Sequence, residues 1–348
     1  MAERLLATVI IPTRNRSRSL VRTLDALAVQ TAAPKSFEVV VVDNASSDDT
    51  IEILREAVTR YPHLQIRWMQ ESKKGPGAAR NRGIRHASGE VILFTDDDCL
   101  PERAWIETMV RTFSVEPDVV GVEGLTYTHL DDFTPFVHFA ASDGGVYPTC
   151  NVAYRTQIVS AVGGFDVDAF PDCSTEDVDL AYRLLGHGPI AFAGGARVFH
   201  PIRPVGFWWQ VLRGRYLVRD ALCLRARHPQ RAGQRNAVRN RARSHGYRDG
   251  SESCVTSLFP VTAREMLVRG DLLRQPTLYV TYLLMLALRT SYAAALLPLS
   301  LLHVYRHCRP RDLPPLARLD RWHLPGQCEE GGFSTSESGE RKHVTSRE

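Results

Sequence analysis

The chain has 348 residues, 44% of them hydrophobic and 24% charged, which excludes a disordered chain and leaves room for a well-filled core. Its net charge of +4 conceals an asymmetry: residues 1–200 hold 19 Lys and Arg against 27 Asp and Glu, whereas residues 201–348 hold 24 against 12. An acidic front part suits metal ions, and a basic rear part suits phosphates or anionic lipid.

The N-terminus carries a seven-residue apolar run, Leu5 to Ile11, broken by Thr8 and without a small-residue cleavage site, so it reads as a strand and not a signal peptide. Further apolar, β-branched runs follow at 37–43, 64–70, 90–96 and 118–124, after the first at 7–12. Runs with no polar alternation suit parallel strands covered on both faces. Helical patterns lie between them at about 17–30, 47–60, 77–87 and 101–115. The alternation predicts an open, doubly wound sheet with right-handed crossovers, whose ligands bind at the carboxyl ends of the strands.

Beyond residue 125 the pattern loosens, then resumes with a helix at about 176–187 and a short strand at 196–201; this part reads as a lid or acceptor platform. From 203 to 248 twelve arginines face one acidic residue, Asp220, with Phe207, Trp208, Trp209 and Tyr216 interleaved at helical spacing, as in an interfacial helix. The apolar window 277–305 is interrupted by Arg289 and Pro298, so neither half reaches the roughly 20 residues needed to cross a bilayer. After Arg309 the composition predicts a disordered tail. Seven cysteines, widely spaced and without a CxxC pair, predict neither a disulfide framework nor a zinc site, and favour a reducing compartment.

The chemistry gathers in the strand-end loops. Asp96, Asp97 and Asp98 follow the fourth strand with no Lys or Arg within four residues, so their mutual repulsion calls for a cation; a divalent metal is weighed evenly against a solvated acidic turn that caps a helix after Pro101. In an extended or turn segment Asp96 and Asp98 point one way and Asp97 the other. The loop KKGPGAARNRG offers Gly75 and Gly77 for close backbone approach, a helix start for phosphate, and Lys73, Lys74 and Arg80 as cations, although it matches neither the Walker pattern nor the dinucleotide fingerprint. Asp43, at the tip of a fully apolar strand, suits a base or ribose. In the stretch STEDVDLAYRL, Glu176 and Asp177 are good helix-starting chemistry, and Asp177, Asp179 and Arg183 are candidates to face a site.

Taken in order, VIIPTRNR, VVVVDNASSDDT, KGPGAARNRGI, VILFTDDDCLP, GGFD and STEDVDLAYRL resemble the family 2 glycosyltransferases over about residues 5–200. The resemblance implies an α/β fold of GT-A type, a doubly wound mixed sheet (Rossmann-like) with a C-terminal helical extension. It implies an inverting enzyme that takes a nucleotide-diphosphate sugar. Pro12, Thr13 and Arg14 would begin the nucleotide-binding loop, Asp43 would receive the base, Arg80 would lie near the nucleotide, and Asp96 and Asp97 would bind the donor. Asp98, with Asp96 and His200, would hold Mn²⁺ or Mg²⁺. Asp177 would be the catalytic base, with Asn151 and Glu176 on the acceptor side. Asn44 departs from the family, where many relatives have a second aspartate; this bears on the donor base.

The expected organisation is a catalytic domain over 1–202 (1–124 for the nucleotide sugar, 125–202 for the acceptor), a basic and apolar helical extension over 203–309, and a tail over 310–348. The acceptor would be a glycan, a lipid-linked molecule or a small molecule, and no nucleic acid is expected. The expected location is cytoplasmic; peripheral attachment at the inner face of the cell membrane is weighed level with plain packing of the rear helices on the catalytic domain. Two other readings compete: a sugar nucleotidyltransferase, against which the Glu176–Asp177 helix speaks, and a non-catalytic nucleic-acid-binding protein gripping through the arginine-rich segment.

Overall fold

The computed structural model describes residues 5–128, 137–138, 142–172, 175–231 and 276–308. Strands β1 (Ala7–Thr13) and β2 (Phe37–Asp43) are buried at every residue, as continuous apolar strands covered on both faces must be. With β3 (Gln65–Gln70) and β4 (Val91–Phe94) they form a parallel block in the order β3-β2-β1-β4. Helices α1 (Ser17–Ala28), α2 (Thr50–Arg60) and α3 (Pro76–His86) are its crossovers. One side of the block packs Val9, Ile11, Leu20, Leu24, Val39 and Leu54, and the other packs Ile10, Ile84, Ile92 and Phe94.

The other half of the sheet departs from the simple alternation. The strand expected at 118–124 is β6 (Gly121–Tyr127), and it does not touch β4. Strand β8 (Val152–Arg155) lies between them, antiparallel to both. Thus part of the segment read as a lid or platform is a central strand, and four residues after a glycine- and aromatic-rich stretch left too short a period to announce it. Gly121 and Gly124 permit the packing: a Cβ on Gly121 would strike the Tyr154 ring, and one on Gly124 would overlap the Ala196 carbonyl.

Strand β9 (Ile190–Phe199) runs parallel to β6 with a register shift between Gly124 and Leu125. The residues expected to open a helix after Asp98 instead form a short strand, β5 (Leu100–Pro101), paired antiparallel with Val198 and Phe199. Helix α4 (Trp105–Val115) starts four residues later than expected. A second, two-stranded sheet pairs β7 (Val137–His138) with β10 (Arg203–Pro204).

Helix α5 (Thr156–Ala161) leads on to α6 (Glu176–Leu184). Against α6 lies α7 (Phe207–Arg227), which in turn carries α8 (Pro276–Ala295) and α9 (Leu297–His307). The fully buried Asp179 ties α6 to α7: it accepts from Arg183 Nε at 2.9 Å, pairs with Arg227 Nε at 3.3 Å and meets His228 Nε2 at 2.9 Å. These partners outweigh its burial and hold the carboxyl below its ordinary range. Asp179 is therefore structural, although its spacing made it a candidate for the site.

Cys223 of α7 and Cys308, just past α9, form a disulfide 85 residues apart in sequence. This corrects the expectation drawn from cysteine spacing, which sees local motifs and is blind to a pair brought together by helix docking. Among the described residues, no helix is long and apolar enough to cross a membrane. The chain divides into a compact unit, Met1–Pro310, and a second, Arg311–Glu348. The second unit, and the arginines expected to matter between 232 and 248, lie outside the described residues.

Candidate active site

The three aspartates leave the end of β4 in alternation. Asp97 turns inward and is 5% exposed, whereas Asp96 and Asp98 stay partly exposed, in a tight turn that the Cys99 amide closes on the Asp96 carbonyl at 3.2 Å. Asp97 accepts the Thr13 hydroxyl at 2.8 Å and Arg16 Nη1 at 3.1 Å. Arg16 also closes on Asp98. Arg80, 1% exposed, donates to Asp96 at 2.8 Å and to Glu176 at 3.1 Å. No cation lies within four residues in sequence, yet the fold brings in two from α3 and from the turn after β1. Charge balance alone therefore gives a metal less support than it did at the level of sequence.

Burial raises the proton affinity of Asp96, but attraction and hydrogen bonding from Arg80, with help from His200 and Arg16, outweigh it and hold the carboxyl below its ordinary value. Asp97 goes the other way: burial, abetted by Asp98 and Asp96, exceeds the pull of Arg16 and Thr13 and pushes it up to about 7. A carboxyl whose folded pKa exceeds its unfolded value stabilises the fold at low pH, and that contribution fades as pH rises from about 4 to about 7. Accordingly, the melting temperature of Asp97→Asn should gain on wild type between pH 5 and pH 8, measured without divalent cation. A difference constant with pH would contradict the shift.

The pairing of β5 with β9 carries His200 to the acidic turn. His200 is buried, with Nδ1 3.0 Å from the Pro201 carbonyl. Donor atoms of Asp98, Cys99 and His200 all lie within 4.8 Å of one another. Cys99 is not among the ligands that the resemblance implies, although its adjacency to Asp98 is a signal in the sequence. Burial and the neighbouring Cys150 push its thiol pKa well above the ordinary value, and a soft sulfur suits Mn²⁺ or Mg²⁺ less than oxygen donors do. Asp98 and His200 remain, an oxygen and an imidazole donor that fit Mn²⁺ or Mg²⁺ with a shell completed by water and phosphate oxygens. Asp96, expected as a further ligand, gives one oxygen, Oδ1, to Arg80.

Of the acidic residues in the first turn of α6, Glu176 is buried on Arg80 and Asp179 on α7, whereas Asp177 remains partly exposed with Oδ1 accepting the Val178 amide at 2.8 Å. Glu176 is thus a partner of Arg80, not a group open to an acceptor. Asn151 is likewise interior: fully buried, it accepts from Trp105 Nε1 at 2.8 Å and donates to the Ala196 carbonyl at 3.1 Å, bracing β8 against β9. Asp43 is buried at the tip of β2, where it accepts from the Ser46 amide at 3.1 Å and from Gln70 at 3.2 Å. Pro12 and Thr13 are buried at the end of β1, and Arg14 is exposed just beyond them.

Asn44, the departure from the family pattern, shapes the glycine loop. Its amide nitrogen donates to the carbonyls of Glu71 and Lys73, and its oxygen accepts the Gly75 amide at 2.8 Å. Gly75 sits at φ +120°, where side-chain-bearing residues are strained, and a Cβ there would press on the Pro171 carbonyl. Lys73 is spent on a surface pair with Asp168.

Residues 8–157 match the family model described as glycosyl transferase family 2. The glycosyltransferase AglE of Haloferax volcanii is 35% identical over 210 residues, covering 57% of this chain and 68% of that protein. Validoxylamine A glucosyltransferase of Streptomyces hygroscopicus subsp. limoneus is 30% identical over 223 residues, covering 53% and 48%. The chain thus spans about two thirds of the first relative and about half of the second. Among solved structures, the mannosyltransferase PcManGT from Pyrobaculum calidifontis superposes with a TM-score of 0.52 at 22% identity, over 84% of this chain and 87% of that one. GalNAc-T7 gives 0.53 at 15% identity, over 72% and 53%. These two likenesses concern the fold.

Proposed function

The chain belongs to glycosyltransferase family 2 and has the GT-A fold, and from that premise we propose that it moves a sugar from a nucleoside-diphosphate donor to an acceptor hydroxyl, with inversion and with a divalent cation. The observation that carries the proposal is the double engagement of Arg80. One buried guanidinium joins Asp96 to Glu176, and so fixes their neighbours Asp98 and Asp177 at one rim of the sheet although they are 79 positions apart in sequence. In support, PcManGT was solved with GDP-Man and Mn²⁺, and GalNAc-T7 with UDP, GalNAc and Mn²⁺.

The loop from Pro12 to Arg14 and the tip of β2 at Asp43 would receive the nucleotide. Asp98 and His200 would hold the cation, which when bound neutralises charge growing on the departing diphosphate. Asp177 takes the proton of the acceptor hydroxyl as that oxygen bonds to the anomeric carbon. The anomeric bond to the diphosphate breaks on the opposite face, the nucleoside diphosphate leaves, and the proton rests on the carboxylate. Arg80 and Glu176 hold the segment that carries this carboxylate, and Arg80 would also lie near the nucleotide.

The rear helices offer an acceptor-side surface. Trp208 and Leu212 of α7, at 66% and 44% exposure, stand one turn apart, Leu299 and Leu301 of α9 are exposed, and Arg213 lies over Trp209. Exposed aromatic and aliphatic side chains among arginines suit contact with an anionic lipid surface that presents a lipid-linked acceptor.

A melting-temperature screen of UDP-, GDP- and dTDP-sugars with Mn²⁺ tests the assignment, since a ligand of the native state raises the transition. One donor class should stabilise the protein; stabilisation by none of them would overturn the proposal. Transfer should vanish in excess chelator and return with Mn²⁺ or Mg²⁺, and chelator-insensitive turnover would remove the cation from the mechanism.

A further inference from the structure

Positive charge already stands on the acidic cluster. Arg16 extends from the turn between β1 and α1, and its Nη1 meets Asp97 Oδ1 at 3.1 Å and approaches Asp98 Oδ2 more closely still. The backbone beneath it is pinned. Asn15 holds a left-handed φ of 53°, its amide donates to Ser46 Oγ at 2.9 Å, and its side-chain oxygen accepts the Ser47 amide at 2.7 Å. The Arg16 carbonyl accepts the Leu20 amide at 3.0 Å, the opening bond of α1. The side chain is therefore the movable part, and at 30% exposure it has a way out to solvent.

Asp98 is also the carboxylate that joins His200 in the candidate cation site. A guanidinium and a divalent cation repel each other, so each weakens the other's hold on the same carboxylate. We propose that Arg16 is the built-in counter-ion of this site, a competitor that occupies Asp98 until a divalent cation displaces it. This rests on the cation site assigned above and goes beyond it in naming what sets the affinity. The cation alone binds weakly, because it must first expel Arg16. A nucleoside diphosphate strengthens the uptake by giving the released guanidinium a phosphate to pair with and by adding negative charge beside the metal. Cation and donor then bind cooperatively, each raising the affinity for the other by the same factor.

The test titrates Mn²⁺ into the full chain without nucleotide and follows free Mn²⁺ by electron paramagnetic resonance. Arg16→Gln should bind Mn²⁺ about tenfold more tightly than wild type, within the roughly 5- to 150-fold span of coupled sites. Arg16→Lys, which keeps a charge but loses the fork, should fall between, and Asp98→Asn should weaken binding. Equal affinity in wild type and Arg16→Gln at a site that Asp98→Asn still weakens overturns the role of Arg16 and leaves the cation site standing. No Asp98-dependent uptake in either chain overturns both. Should Arg16→Gln fail to fold, phenylglyoxal modification of wild-type Arg16, located by mass spectrometry, serves instead. Saturating Mn²⁺ should speed the modification, and an unchanged rate overturns the proposal.

Discussion

Asp177→Asn should lose about 10²- to 10⁴-fold in transfer rate, the usual contribution of a general base, while its affinity for the donor nucleotide stays close to wild type. The amide matches the carboxylate in shape, and its oxygen can still accept the Val178 amide, so the first turn of α6 should keep its form. What it cannot do is take a proton from an acceptor. Glu176→Gln makes a comparison one residue away: Glu176 is buried on Arg80, so its loss should lower stability and slow transfer only through a loosened Asp177, by much less than Asp177→Asn. Single-turnover transfer and nucleotide calorimetry on both variants separate the two roles. Near-normal transfer by Asp177→Asn would remove that residue from the chemistry.

Arg80→Met should destabilise the protein by about 3–5 kcal/mol, the cost typical of removing one partner from a buried ion pair. Methionine fills much of the same space, so the loss is electrostatic: Glu176 is left as a buried carboxylate without its guanidinium, and Asp96 loses the partner that keeps its proton affinity low. Adding Glu176→Gln to Arg80→Met removes one stranded charge and should recover part of the stability. Denaturant midpoints for the two single variants and the double variant close this cycle. A loss below about 1 kcal/mol in Arg80→Met would mean that the pair behaves like a solvated surface bridge and does not hold the rim together.

The two predictions describe one device. The carboxylates proposed to face the substrate stay partly exposed beside buried neighbours: Asp97 and Glu176 turn inward to meet Arg16 and Arg80, while Asp98, also met by Arg16, and Asp177 keep part of their surface open. Burial of one residue in each pair sets the direction of the next. The arrangement depends on partners far along the chain, so a substitution at Arg80 should also slow transfer by loosening Asp177, even though the guanidinium touches no reacting atom.

The sequence by itself determined that β1, β2, β3 and β4 are parallel strands joined by helices, with an acidic loop at their rim, because a strand covered on both faces must be continuously apolar and its polar end must then be a loop. It also pointed to the opposite facing of Asp97 against Asp96 and Asp98, although a turn after β4 and not a pleat sets it. Only the tertiary structure decided that β8 enters the sheet beside β4, that β5 and β9 deliver His200 to Asp98, that Cys223 meets Cys308, and that Asn151, Glu176 and Asp179 are interior. Each of these rests on a contact between segments remote in the chain, and local periodicity carries no information about such contacts.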